Sequence, residues 1–224
     1  MIAATAMRFA VIGLVAAATI SCTSHGPASS HASAASSHAS AGTGRLRWSS
    51  TTGAAAGSPA VADGTVYVGS TDGRVYALDA ATGRLRWSRS LGSFASSPAV
   101  GNGTVYASSG DAGRAEVYAL DAATGRLRWS SAEGGGSLVV ADGTVYAASS
   151  DRTMYALDAA TGRLRWSRTA AGIIGSPAVA GGTVYAGSTD GRVYALDAAT
   201  GRLRWSRTLR SFTGSPVAVG GGTV

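Results

Sequence analysis

The nonapeptide DAATGRLRW occupies residues 79–87 and recurs without change at 121–129, 158–166 and 197–205. A catalytic centre is normally assembled once from unlike side chains, so four identical copies indicate a structural unit that is repeated along the chain. The tryptophans at 48, 87, 129, 166 and 205 are separated by 39, 42, 37 and 39 residues. A period of about 40 residues is typical of propellers and solenoids.

Each period reads as four short strands. In the first complete unit the segments are SPAVA (58–62), TVYVGS (65–70), RVYALD (74–79) and RLRWS (84–88). Apolar residues recur at every second position, and Asp-Gly pairs between the segments supply the positive φ angles that tight hairpins need. A helical repeat is disfavoured by this spacing, and a parallel β-helix would have shorter rungs and fewer hairpins. The sequence therefore predicts four antiparallel strands per unit.

The third segment, RVYALD, is apolar on both faces of its strand. Val75 and Ala77 face one way, whereas Tyr76 and Leu78 face the other. A sheet of this kind must be packed between neighbours, and blades arranged around an axis satisfy that need. The predicted fold is thus an all-β propeller of four-stranded antiparallel blades.

The fourth segment, RLRWS, is apolar on one side only. Simple alternation places Leu85 and Trp87 on one face and Arg84, Arg86 and Ser88 on the other. A strand that is half polar is expected at the outer edge of its blade.

The N-terminal residues 1–21 have the pattern of a signal peptide. Arg8 is followed by the apolar run FAVIGLVAAATI at 9–20, which is too short to span a bilayer. The run ends at TISC, and Cys22 is the only cysteine in the chain. TISC resembles the lipobox of bacterial lipoproteins, although Thr19 stands where an aliphatic residue is usual. The resemblance implies lipid attachment at Cys22 and an extracytoplasmic, membrane-anchored protein; a secreted protein or an uncleaved anchor is the alternative.

Residues 22–43 are rich in Ser, Ala, Gly and His and contain SSHASA twice. Such a segment buries too little apolar surface to offset the entropy of ordering, so it is expected to be a disordered tether. The three histidines of the chain lie here, widely spaced, and they preorganise no metal site.

The formal net charge is +7, and all nineteen basic residues are arginine. The arginines recur at fixed places in the repeats, which is typical of a solvated outer strand rather than a focused nucleic-acid interface. Nucleic acid is therefore disfavoured as a partner. An anionic envelope polymer or a lipid headgroup fits this distribution better.

The segment ALDAATGRLRW at 77–87 closely resembles the tryptophan-docking motif of PQQ-type propeller repeats, Ala-x-Asp-x-x-x-Gly-x-x-x-Trp. The family resemblance covers residues 44–224. It implies that each indole packs against the glycine turn of an adjacent motif and that each aspartate holds its turn through backbone amides. The implied docking residues are Asp79, Gly83 and Trp87; Asp121, Gly125 and Trp129; Asp158, Gly162 and Trp166; and Asp197, Gly201 and Trp205.

The family includes quinone-dependent alcohol dehydrogenases, BamB-like lipoproteins and kinase sensor domains. The dehydrogenases hold their quinone over a disulfide between adjacent cysteines and bind calcium through acidic and amide side chains. This chain has one cysteine, no glutamine, one asparagine and two glutamates. The favoured hypothesis is a non-catalytic scaffold for a protein or an envelope polymer, with no cofactor, metal or small-molecule substrate. A fragment of a dehydrogenase and a sensor domain are the alternatives.

One hairpin departs from the repeat. GDAGRAEVY at 110–118 is three residues longer than its counterpart, and loops of propellers often carry recognition. Arg114 and Glu116 are therefore candidates for a recognition loop, with ordinary drift between repeats as the other interpretation.

The ends of the repeat region suggest a partial ring. RLRWS at 45–49 reads as a fourth strand without the preceding three, and the last unit reaches only its second strand at Val224. Four complete blades and a partial fifth are expected, as a C-terminally truncated fragment of a ring of seven or eight blades. A closed ring of four or five blades is the alternative.

Overall fold

The computed structural model describes residues 46–54, 57–93, 95–110, 115–172 and 174–209. The predicted signal peptide at 1–21, the tether at 22–43 and the partial fifth blade after residue 209 lie outside these ranges. The described residues form sixteen β-strands and no helix.

The strands form four sheets, which we call blades 1 to 4. Blade 1 contains β1 (Ala60–Ala62), β2 (Thr65–Gly69), β3 (Arg74–Asp79) and β4 (Leu85–Ser90). Blade 2 contains β5 (Ala99–Gly101), β6 (Thr104–Ser109), β7 (Glu116–Asp121) and β8 (Leu127–Ser131). Blade 3 contains β9 (Gly136–Ala141), β10 (Thr144–Ser149), β11 (Thr153–Asp158) and β12 (Leu164–Thr169). Blade 4 contains β13 (Ala178–Ala180), β14 (Thr183–Gly187), β15 (Arg192–Asp197) and β16 (Leu203–Thr208).

Within every blade the strands follow chain order, and each pairs antiparallel with the next. The first strands of neighbouring blades approach one another, β1 to β5, β5 to β9 and β9 to β13. The first strand is therefore innermost and the fourth is outermost. The predicted all-β propeller of four-stranded antiparallel blades is confirmed.

Tight hairpins join the first and second strands. Asp63 and Gly64 have φ values of 46° and 66°, and Asn102 and Gly103 have φ values of 48° and 66°. Two successive positive φ angles match the twist of the strands that the turn connects. Asp-Gly pairs were predicted to form such turns, and Asp63-Gly64 and Asp142-Gly143 confirm the prediction.

Proline determines where the inner strands begin. Pro59, Pro98 and Pro177 each stand one residue before a first strand of three residues. Proline has no N–H to donate to a sheet. Blade 3 has GGGS at this place, and its first strand, β9, is six residues long.

Blades 2 and 3 are each packed between two neighbours, and blades 1 and 4 each pack against one described neighbour. The face that meets the preceding blade, here called the front, carries Val66, Val68 and Leu78 in blade 1. The opposite face, here called the rear, carries Tyr67 and Ala77, which pack with the front residues of blade 2. The same arrangement joins blade 2 to blade 3 and blade 3 to blade 4. Apolar area removed from water between blades is therefore the main stabilising term.

The outermost strand departs from simple alternation. Trp87 pairs with Ala77, but Leu85 pairs with Leu78, so Arg86 is one extra residue in a β-bulge. Residues paired across antiparallel strands share a face, so Leu85 lies on the front side and Trp87 on the rear. The expectation that Leu85 and Trp87 share a side was wrong because alternation holds only where the register is unbroken. The other three blades contain the same bulge.

Docking sites and outer rim

Four of the five indoles, those of Trp48, Trp87, Trp129 and Trp166, lie on a glycine of the following repeat. A Cβ placed on Gly83 would be 2.5 Å from Cε3 of Trp48, and one placed on Gly125 would be 2.7 Å from that of Trp87. The same contact joins Gly162 to Trp129 and Gly201 to Trp166, each at 2.6 Å. These four glycines also have φ values of 68° to 72°. Glycine is therefore required both for its backbone conformation and for the close approach of the ring.

Each of these four tryptophans pairs with the glycine of the next copy of the motif and not with the glycine of its own copy. The motif groups Gly83 with Trp87, yet the indole on Gly83 is that of Trp48. Residues 46–50 form no regular strand, contrary to the expected fourth strand at 45–49, but Trp48 still packs against the front of blade 1. Trp205 has no such glycine partner among the described residues, and it is 42% exposed.

A hydrogen bond accompanies each stacked indole. The Nε1 of Trp87 donates to the carbonyl of Ala122 at 2.9 Å, and the hydroxyl of Tyr67 donates to the same carbonyl at 3.1 Å. The two rings are 5.9 Å apart, so one blade presents a tyrosine and a tryptophan side by side to the next. Ala159 and Ala198 accept the same pair of hydrogen bonds from their preceding blades. The role of tyrosine was not predicted from the sequence, although its place in every TVY segment was the available signal.

The aspartate of each motif organises the turn that the indole covers. The Oδ1 of Asp79 accepts hydrogen bonds from the amides of Ala81 and Thr82, at 3.1 and 2.9 Å, and from the Thr82 hydroxyl at 2.8 Å. Gly83 closes the turn by donating to the carbonyl of Asp79 at 2.8 Å. The amide contacts are those that the family resemblance implied. Corresponding contacts hold the turns of Asp121, Asp158 and Asp197.

The second arginine of each motif ties this turn to the sheet. Arg86 donates from Nη2 to Oδ2 of Asp79 and from Nη1 to the hydroxyl of Thr65, both at 2.6 Å. It is the extra residue of the bulge, which explains why it reaches inward rather than following the strand. The equivalent pairs are Arg128 with Asp121, Arg165 with Asp158 and Arg204 with Asp197.

These arginines lower the pKa of the aspartates in the turns. The hydrogen bond from the arginine, followed by that from the threonine, lowers the pKa of Asp121, Asp158 and Asp197 to about 2. The pKa of Asp79 is lowered for the same reasons. The carboxylates are therefore ionised throughout the neutral range, as acceptors of several hydrogen bonds should be.

The bulge also exposes a leucine on every outer strand. Leu85 is 58% exposed, and Leu127, Leu164 and Leu203 are 44%, 45% and 41% exposed. Each leucine stands between two arginines. The arginine after it is paired with aspartate, whereas the arginine before it is exposed and forms no ion pair within the described residues. We call these four Arg-Leu-Arg segments, at 84–86, 126–128, 163–165 and 202–204, the outer rim.

The candidate recognition loop is only partly described. Arg114 lies outside the described residues, and Glu116 begins β7, where it is half-buried and pairs with Ser109. Cys22 also lies outside them. Within the described ranges, no group of three His, Cys, Asp or Glu side chains could hold a metal ion, and no helix has the length and hydropathy to cross a membrane.

The fold and the indole contacts define the class: a propeller built from PQQ-type repeats. The chain belongs to the family of the outer membrane protein assembly factor BamB, whose model matches residues 35–137 and 113–224. No curated protein matches the chain.

Solved structures share the fold. BamB from Moraxella catarrhalis is similar at 26% identity and a TM-score of 0.60, over 69% of this chain and 53% of that one. The computationally designed Ika4 protein is similar at 21% identity and a TM-score of 0.59, over 66% of this chain and 93% of that one. A europium-containing methanol dehydrogenase is similar at 18% identity and a TM-score of 0.58, over 67% of this chain and 41% of that one. The match therefore spans about half the length of BamB, and the other two likenesses concern the fold alone.

Proposed function

We propose that this protein is a non-catalytic scaffold of the cell envelope, anchored through a lipid on Cys22, whose outer rim binds an anionic envelope polymer. Membership of the BamB family supports an extracytoplasmic location. The signal-like run before Cys22 supports the anchor.

The exposed Arg-Leu-Arg segments carry the proposal. A guanidinium group forms paired hydrogen bonds with phosphate or carboxylate, so an unpaired arginine is suited to a polyanion. In each segment one arginine is already occupied by an aspartate, whereas the first remains available at the surface. The exposed leucine beside it adds apolar contact area for a polymer that carries alkyl or sugar carbons.

Repetition favours a polymer over a compact ligand. The four segments occupy equivalent positions on successive blades, so a linear polyanion can contact several of them at once. Each exposed charge contact is weak in water, but linked contacts raise the effective concentration of the next one. Binding should therefore increase with chain length and decrease steeply with salt.

The test uses fluorescently labelled polyphosphate chains of two lengths and the full chain in fluorescence anisotropy. The triple variant Arg84→Ser, Arg126→Ser, Arg163→Ser removes three unpaired arginines of the rim. We expect it to weaken binding of the longer polymer at least tenfold. The matched control, Arg74→Ser, Arg152→Ser, Arg192→Ser, removes the same charge elsewhere and should retain most of the affinity.

Equal losses in the two triple variants would contradict a site on the rim, because only the total charge would then matter. Crosslinking of the rim to an envelope protein in cells, with no binding of polyphosphate, would replace the polymer by a protein partner. Metabolic labelling with palmitate tests the anchor: incorporation should disappear in Cys22→Ser. Reduction of an electron-accepting dye after addition of PQQ and calcium would contradict the non-catalytic role.

A further inference from the structure

The contact between blades 3 and 4 contains a cavity of about 110 Å³. Its deepest lining residues are apolar and buried: Met154, Ile174, Ala186 and Leu196. Ala170 and Tyr194 also line it, and the exposed Arg168, Thr169 and Ala171 lie on the solvent side. The cavity is separate from the outer rim and from the indole stacked on Gly201.

A comparison with the contact between blades 1 and 2 explains the space. There Leu91, at the position of Ala170, is 8% exposed and packs among Ala95, Ala107 and Leu120. Between blades 3 and 4 the leucine is replaced by alanine, while Ala95 is replaced by Ile174 and Val75 by Met154. Ile174 and Met154 are larger than the residues they replace, but their extra atoms do not fill the place that Leu91 occupies between blades 1 and 2. That place is left open beside Ala170.

Arg168 lies at the solvent side of the wall, and the other polar side chains of the wall are already hydrogen-bonded. The hydroxyl of Tyr194 donates to Asp190, and the hydroxyls of Thr169 and Thr153 are bonded to each other at 3.2 Å. A water molecule needs several polar partners to be stable in a cavity, and the buried end, lined by Met154, Ile174, Ala186 and Leu196, has no polar side chain to offer. An apolar guest is therefore favoured over water.

The volume of the cavity and the flexibility of its wall determine which molecules can bind. Apolar protein cavities of about 150 Å³ accept benzene or xenon. The methionine in the wall has three rotatable bonds and a polarisable sulfur, so it can adjust to a ring or an alkyl group. We propose that this cavity is a binding site for a small apolar molecule of about six carbon atoms, such as an aromatic ring or a short alkyl group.

Met154 provides a direct reporter. The chain has three methionines, and the other two are residues 1 and 7. In the full chain labelled with methyl-13C methionine, titration with benzene should shift the Met154 methyl resonance saturably. Pyrazine, a ring of similar size with two acceptor nitrogens, should shift it much less, because its nitrogens would lose water against the apolar end of the cavity. Benzene should also raise the thermal midpoint, since a ligand that binds only the folded state stabilises it.

Substitution at the open position tests the site. Ala170→Leu should fill the cavity and abolish the benzene-dependent shift, and Ala170→Val, which is smaller and safer for folding, should weaken binding severalfold. The matched control Ala132→Leu adds the same side chain at an exposed position of the neighbouring blade and should bind benzene as the natural sequence does. An unshifted Met154 methyl in saturating benzene, or an equal shift in Ala170→Val and the natural protein, would overturn the proposal.

Discussion

Trp166 and Trp205 end two identical copies of DAATGRLRW, yet the structure treats them differently. Trp166 is 8% exposed, donates to the carbonyl of Ala198 at 2.9 Å and lies on Gly201. Trp205 is 42% exposed and has neither contact among the described residues. Their contacts within the blade are alike, since each indole lies about 6 Å from a tyrosine of the same blade, at 5.9 and 6.0 Å. Burial of the indole is therefore decided by the neighbouring blade and not by the local sequence.

The largest expected difference is between the two tryptophans themselves. Trp166→Ala should lower the free energy of unfolding by about 3–5 kcal/mol, because it removes a large buried ring and leaves a cavity. Trp205→Ala should cost about 1 kcal/mol or less, as is usual for exposed positions. Urea denaturation of both variants in the full chain measures the difference. Equal losses would mean that Trp205 is also buried against a partner.

The glycine side of the contact can be tested within one blade. Gly125 and Gly103 have φ values of 69° and 66°, but only Gly125 lies against an indole, and a Cβ on Gly103 would meet nothing within 4 Å. Both alanine variants carry the cost of a left-handed residue, about 1–2 kcal/mol. Gly125→Ala should cost about 1–3 kcal/mol more, because the Trp87 ring must move. If the two variants were equally stable in urea, the ring contact would contribute nothing.

The tyrosine hydroxyl should have a smaller effect. Tyr67→Phe removes one of two hydrogen bonds to the carbonyl of Ala122, which keeps the bond from Trp87, so a loss of about 0.5–1.5 kcal/mol is expected. Tyr185→Phe is the control, because no described residue accepts from its hydroxyl, and its unfolding midpoint should hardly change. A larger loss at Tyr185 would indicate an acceptor beyond the described ranges.

The smallest effect concerns the turn and should be the same in both blades. The pKa values of Asp158 and Asp197 are about 2, below the ordinary 3.8, so each carboxylate stabilises the fold above about pH 4, and this contribution is lost as the pH falls through 2. Asp158→Asn and Asp197→Asn should lower the urea midpoint equally at pH 7 and converge with the natural protein near pH 2. If the midpoints converged at a higher pH, or if the two variants lost stability unequally, the aspartates would not act only within their own turns.

Much of the fold was predictable because the signals are local. The alternation of apolar residues indicated strands, the Asp-Gly pairs indicated hairpins, and the motif indicated which side chains form the blade contacts. The β-bulge at Arg86 was not predictable, because alternation along RLRWS contains no sign that the register shifts. The exposed leucines of the outer rim and the bridging role of Arg86 follow from that shift, so they were missed as well.

The cavity beside Ala170 could not be predicted from the sequence either. The alignment of repeats reveals the exchange of leucine for alanine, but the compensating Ile174 and Met154 make the total number of side-chain atoms almost the same. Only the placement of these atoms in three dimensions leaves a space.

The amino-acid sequence by itself determined the repeat, the strands, the turns and the type of residue at each docking position, since these depend on neighbours within a few positions along the chain. The tertiary structure alone decided which indole meets which glycine, where leucine is exposed and where a cavity remains. Those features depend on contacts between repeats about 40 residues apart, and identical segments have different surroundings there.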